Sequence, residues 1–197
     1  MNTISINNRA IAAQRVWLDA SLTDTQRITF LKARFSIDTY IDYDLLRTER
    51  NRLLVHAYAV TSTLLKQLVK DCRVRRFRAV IVDTELHALG RALANDTQQT
   101  GLFLCAVVHS NQLSLSAHGE DKLHFFRFIS IARESEQQHL LRLLLGYYGY
   151  DEHSVPVETI VLVNFDATVT LEMEYRHVQE NYAALIERGL ALRKSHD

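Results

Sequence analysis

Hydrophobic and polar positions along the chain change period several times, and the changes predict a mixed order of strands and helices. Residues 3–17 mix apolar and polar side chains, with Ile4 and Ile6 alternating, which suits a strand or a pair of strands. Residues 22–35 predict a helix, because Thr23 and Gln26 have capping-box spacing and Ile28, Leu31 and Phe35 recur on one face. Residues 38–45, rich in Tyr, Ile and Thr, predict extended backbone. The run from Leu53 through Val60 predicts a core strand.

Thr61, Ser62 and Thr63 then offer capping hydroxyls to a helix in which Leu64, Leu65, Leu68, Val69 and Cys72 keep helical spacing. Residues 79–82 predict a short buried strand, and Asp83 is placed to cap a helix that turns Leu86, Leu89 and Leu93 inward. Three β-rich runs at 102–108, 113–117 and 123–131, separated by polar turns at 109–111 and 118–121, predict an antiparallel meander. Residues 134–148 predict an apolar helix ending near Gly146, residues 158–163 a buried strand, and residues 176–192 a final amphipathic helix carrying Val178, Tyr182, Leu185 and Ile186. Strands with intervening helices make the fold α/β, or mixed α+β. The single proline, Pro156, and the lack of repeats or low-complexity tracts mark no linker, so one compact chain is expected.

Composition narrows the function classes. At 197 residues and 47% hydrophobic content the chain can bury a substantial core. Lys plus Arg and Asp plus Glu balance at 23 each, so no global field draws it to nucleic acid or an anionic membrane. The N-terminus lacks a basic stretch followed by an apolar run, and the apolar stretches are far shorter than the roughly 20 residues a spanning helix needs. A soluble cytoplasmic protein is expected, with Cys72 and Cys105 as reduced, buried thiols.

Candidate chemistry is sparse. The nine histidines include no His-x-x-x-His pair, and no Cys-x-x-Cys supplies thiolates, so His56 and His87 read as packing or surface residues and no metal is assigned. No Gly-x-Ser-x-Gly elbow presents a nucleophile. Asp42, Asp44, Asp83 and Glu85 fall near element ends, where catalytic carboxylates can sit. The arginines at 73, 75, 76 and 78 around Phe77 form the densest positive patch, which reads as a solvated helix end rather than a nucleic-acid site. The six glycines form neither a Gly-x-Gly-x-x-Gly nor a Gly-x-x-x-x-Gly-Lys phosphate loop. No catalytic, cofactor-binding or metal residue is therefore assigned, and the partner-binding residues stay open.

The order of these segments resembles the PilM/HofM family of type IV pilus assembly proteins. The resemblance rests on the strand from Leu53 to Val60, its helix, the strand ending at Asp83, and the Ala88, Arg91 and Ala92 pattern of the next helix. Ser21 to Asp24, Ile41 to Tyr43, the strand with Arg127, the helix ending at Tyr148 and the segment from Tyr182 to Arg193 extend it in the same order. The resemblance implies an actin-like (ribonuclease H-like) fold, truncated and degenerate, related to the cytoplasmic domains of type II secretion L proteins. It divides the chain into an insert-like subdomain, residues 1–60, and an actin-like core subdomain, residues 61–197. It also implies a cytoplasmic, non-enzymatic scaffold, peripheral to the inner membrane, that docks the cytoplasmic tail of a bitopic PilN-like partner and couples to the assembly ATPase. The segment from Ile4 to Val60 would correspond to the side of the peptide groove.

The chain also departs from that family. It begins roughly where the family's insert domain would, without an Asp-x-Gly strand; residues 102–109 lack the acidic-glycine pair of a second phosphate strand; and residues 162–166 read Leu-Val-Asn-Phe-Asp where a Gly-Gly adenosine turn is expected. Each departure removes backbone amides or a carboxylate that a magnesium-bound polyphosphate needs, so no cofactor is expected. The alternatives are a type II secretion L-like module and a small nucleotide-binding enzyme of the actin and hexokinase fold.

Overall fold

The structure is a computed structural model that describes residues 2–7, 10–36, 38–74, 80–97, 101–133, 136–151, 155–157, 159–165 and 169–193. Its elements are β1 (Asn2–Ile6), β2 (Ala12–Asp19), α1 (Asp24–Phe35), β3 (Thr39–Glu49), β4 (Arg52–Thr61), α2 (Ser62–Val74), β5 (Val80–Thr84), α3 (Glu85–Thr97), β6 (Phe103–His109), β7 (Gln112–Gly119), β8 (Lys122–Ser130), α4 (Gln137–Tyr150), β9 (Thr159–Val163), β10 (Glu174–Val178) and α5 (Tyr182–Ala191). The chain divides into two compact units, Met1–Glu85 and Leu86–Asp197.

In the first unit, β2, β4 and β3 form an antiparallel sheet in that order, and β1 pairs in parallel with β5. The first segment is thus a pair of strands that part company, β1 to one sheet and β2 to the other. The expected capping box starts α1: the Thr23 hydroxyl accepts from the Gln26 amide, and the Gln26 side chain accepts from the Thr23 amide at 2.8 Å. Leu31 then packs with Val16, Leu18, Leu53, Val55 and Ala57 on one face of the three-stranded sheet. Leu54, His56, Tyr58 and Val60 point to the other face and are buried as well, which accounts for an uninterrupted apolar run in an antiparallel strand. At the start of α2 the Leu64 amide reaches the Thr61 hydroxyl at 3.4 Å, so Thr61 is the capping hydroxyl.

In the second unit the five-stranded sheet has the order β10-β9-β6-β7-β8. β6, β7 and β8 form the predicted antiparallel meander, and β9 and β10 add in parallel beyond β6. Alternation along β6 sorts two cores. Leu104 and Ala106 join Leu141, Leu144 and Tyr148 of α4 on one face, while Phe103, Cys105 and Val107 join α3 and α5 on the other. Burial on both faces is why these strands read as continuous hydrophobic runs.

Three local expectations are corrected. Asp83 does not stand at a helix cap; it lies inside β5, which runs to Thr84, and its carboxylate accepts the Thr84 amide at 2.8 Å. The final helix begins at Tyr182 rather than at 176, because residues 174–178 pair with β9 and Asn181 caps α5 by accepting from the Ala183 and Ala184 amides. Gly146 does not end α4; the helix continues to Tyr150, no glycine has positive φ, and the Asp151 amide closes the last turn on the Tyr148 carbonyl.

Gly189 has a different role. A Cβ built there would lie 1.7 Å from the Ala88 carbonyl oxygen, so α5 and α3 meet through bare backbone. Gly189→Ala is expected to cost about 3 kcal/mol or more in urea denaturation, because the obstacle is main chain that cannot rotate away. Gly146→Ala, whose Cβ would meet nothing within 4 Å, is expected to stabilise the protein by up to about 1 kcal/mol through helix propensity.

Candidate functional site

The carboxylates that the sequence brought forward fall on three elements. Asp42 and Asp44 stand on β3, Asp83 is buried on β5, and Glu85 opens α3, where it accepts from the Asn7 side chain at 3.4 Å. Among the described residues no group of three or more His, Cys, Asp and Glu is arranged to hold a metal ion. Both cysteines are free and buried, and burial raises the Cys105 thiol pKa so far that it stays protonated, which removes it as a nucleophile. Of the arginine patch, Arg73 ends α2, while residues 75–78 lie outside the described residues.

Asp44 has a structural partner. The β-sheet register aligns Arg15, His56 and Asp44 in one row across β2, β4 and β3, and Ala13, Tyr58 and Asp42 in the next. The Tyr58 hydroxyl donates to an Asp44 carboxylate oxygen, and the Tyr58 and His56 rings lie 4.9 Å apart. Burial, and then the negative charge of Asp44, raise the Tyr58 pKa well above the ordinary phenol value.

Two of the three positions expected to lack phosphate turns can be inspected directly. β6 passes to β7 through Ser110 and Asn111, both with positive φ (49° and 58°), as a two-residue hairpin requires. Both left-handed positions carry side chains, whereas close main-chain approach to a phosphate favours glycine. Beside this turn the His109 ring stacks on Tyr182 at 4.4 Å. After β9, Asn164 has φ 58°; its amide donates to the Val178 carbonyl at 3.0 Å, and its side-chain oxygen accepts from the Glu180 amide at 3.2 Å. Asn164 thus ties the β9 bend to the segment leading into α5. Asp166 lies outside the described residues.

A cleft of about 340 Å³ opens within the second unit between α3, the turn joining β7 to β8, and Leu192. Its wall includes Arg91, whose Nε donates to the Gly189 carbonyl at 3.0 Å and whose Nη1 reaches the Asp121 carboxylate at 3.3 Å. Deeper in, the buried His118 ring bonds the Ser116 hydroxyl at 2.7 Å. A Cβ at Gly90 would come 2.4 Å from His118 Nδ1, so the imidazole fits only because α3 has a glycine there. His87, which the sequence gave no role, also lines the cleft. Sequence reasoning placed Arg91 in a helix and residues 118–121 in a turn but did not join them, since about thirty residues separate the two.

No family model matches the sequence, and comparison with curated proteins gives no match. Solved structures do match. The cytoplasmic domain of EpsL, an inner membrane component of the type II secretion system of Vibrio cholerae, superposes with a TM-score of 0.62 at 11% identity, over 98% of this chain and 74% of that one. A PilM-PilN type IV pilus biogenesis complex superposes with a TM-score of 0.60 at 13% identity, over 96% of this chain and 67% of that one. A Bacteroides thetaiotaomicron protein described as having an actin-like ATPase fold overlaps more loosely, with a TM-score of 0.46 at 8% identity. At these identities the shared property is the fold, and the mixed α/β, PilM-like architecture expected from the sequence is the one found.

The Tyr58 environment makes a testable statement about pH. A folded pKa raised above the unfolded value contributes stability that is complete below about pH 10 and is lost as pH climbs toward the folded pKa. Urea denaturation is expected to show stability falling from about pH 10 upward, with that fall reduced in Tyr58→Phe. At neutral pH the same variant is expected to lose roughly 1–3 kcal/mol, because the buried phenol no longer bonds the Asp44 carboxylate.

Proposed function

We propose that the chain is a non-catalytic assembly component of a type IV pilus or type II secretion machine, acting on the cytoplasmic side of the inner membrane as a dock for the cytoplasmic tail of a bitopic partner. The observation that carries this reading is the superposition of 98% and 96% of the chain on the EpsL cytoplasmic domain and on the PilM-PilN complex. One of those structures is an inner membrane component of a secretion system, and the other is a complex with PilN. A PilN-like tail is therefore the partner chemistry to try first. The assembly ATPase is a second, more distal contact.

Among the described residues no helix is long and apolar enough to cross a membrane, which fits attachment through a partner. The absence of turnover is part of the proposal. It is supported by the side chains at both left-handed positions of the β6–β7 turn and by the commitment of the Asn164 amide to Val178. A fold that keeps its sheets while its turns carry side chains suits peptide recognition better than polyphosphate binding. By analogy with those structures the proposed contact region is residues 4–60, which hold β2, β3 and all of β4 but Thr61.

Two measurements separate this reading from a nucleotide-using enzyme. Magnesium-ATP is expected to leave the melting temperature unchanged, whereas a ligand at about 100 times its dissociation constant would add roughly 2.7 kcal/mol. Synthetic peptides matching the cytoplasmic tails of bitopic pilus or secretion proteins encoded beside this chain are expected to bind in isothermal titration. If ATP stabilises the protein and every such tail fails to bind, the scaffold reading is wrong.

A further inference from the structure

The cleft beside Arg91 lies outside residues 4–60, and its charges are layered in a way that favours one class of ligand. The Arg91 side chain is only 11% exposed and that of Lys122 is 35% exposed, whereas the carboxylates of Asp121 and Glu120 are 59% and 81% exposed. Arg91 therefore lies inside, while Lys122 sits at the mouth beside Glu120 and the acidic groups stand at the rim. A solvent-exposed carboxylate is screened by water, while a cation deeper in a concave wall keeps more of its field, so the interior favours an anion.

Much of the remaining surface is apolar, with His87, Asn95 and His118 as its polar members. Phe103 and Ala94 contribute hydrocarbon, and Gly101, where a built Cβ would meet nothing within 4 Å, exposes bare main chain. The volume of about 340 Å³ lies at the small end of ligand pockets, which span roughly 300–1,000 Å³. Arg91 is oriented before any ligand arrives, because its Nε is held by the Gly189 carbonyl. An Asp121 carboxylate oxygen faces Nη1 at 3.3 Å. That distance exceeds the roughly 2.7–2.9 Å of a strong charge-assisted bond, so a free carboxylate seated in the cleft would gain what the turn-bound Asp121 does not reach.

We infer that this cleft binds a compact ligand that carries a carboxylate on an apolar body, with Arg91 as the principal anion contact and Asp121 as a competing intramolecular carboxylate. Lys122 adds a second positive charge at the mouth, and the His118 imidazole forms part of the polar floor. The site lies wholly within the second unit and stands or falls independently of the docking role proposed for residues 4–60.

The test is a titration of the full chain, labelled with ¹⁵N, with benzoate and with its uncharged twin benzamide. Benzoate is expected to shift the Gly90, Gly119 and Asp121 amides and the Arg91 Nε–H, and to bind roughly tenfold more tightly than benzamide. Arg91→Gln is expected to abolish that preference. Because Arg91 also anchors Gly189, a folding defect could produce the same loss, so the deciding variant is Asp121→Asn. Asp121 has a φ of 61°, a conformation asparagine adopts readily, so this change preserves the turn while removing the competing charge. Benzoate is expected to bind Asp121→Asn severalfold more tightly than the unaltered protein, a gain that a damaged fold does not produce. The proposal is overturned by equal affinity for benzoate and benzamide, by shifts that map outside the cleft, by unchanged or weaker binding to Asp121→Asn, or by no binding up to the solubility limit of benzoate.

Discussion

The second unit depends on a contact in which no side chain stands between two helices. Gly189 of α5 meets the Ala88 carbonyl of α3, and any Cβ at 189 would lie 1.7 Å from that oxygen, far inside contact distance. Both helices cover the same face of the five-stranded sheet, where Ala88, Leu89, Ala92 and Leu93 pack with Leu185 and Ile186. The small residues allow the backbones to approach, and polar groups then fix the angle. Arg91 donates to the Gly189 carbonyl, and the neighbouring Arg188 is held by Glu180 on one side and Asp96 on the other. One glycine thus sets the helix spacing, and through Arg91 it also sets one wall of the cleft. Fold and site share this constraint, so neither can drift without the other.

Much of the architecture was legible because its signals are local. A capping box needs only Thr23 and Gln26, and a strand buried on both faces, such as β4 or β6, announces itself as a run without polar interruption. The β10 strand was hidden because Glu174, Tyr175, Arg176, His177 and Val178 form no such run; only pairing with β9 makes them a strand. Gly146 misled for a related reason, since a glycine near an expected helix end looks like a terminator, while the surrounding Leu144, Leu145 and Tyr148 packing carries α4 past it. The cleft was beyond sequence reasoning because Arg91, His118 and Asp121 meet only when α3 lies across the β7–β8 turn.

The turns hold their left-handed geometry with side chains in place of glycine. Ser110, Asn111, Glu120, Asp121 and Asn164 all occupy left-handed backbone that glycine would adopt with less strain. Two-residue hairpin turns demand that conformation whatever residues fill them. Side chains at these positions leave the strand pairing at both hairpin turns intact. The superpositions on the EpsL domain and the PilM-PilN complex at 11% and 13% identity show a fold shared across sequences that differ at most positions.

The edges of the five-stranded sheet carry a further consequence. β10 is five residues long and pairs with β9 on one side only. Its Glu174, Arg176 and His177 side chains are exposed, and charged groups on a short border strand discourage another chain from extending the sheet. The opposite border, β8, exposes Arg127 and adjoins a register shift between Ala117 and His118 in its pairing with β7. Strand addition is thus discouraged at both borders, which keeps one copy's sheet from extending into another's.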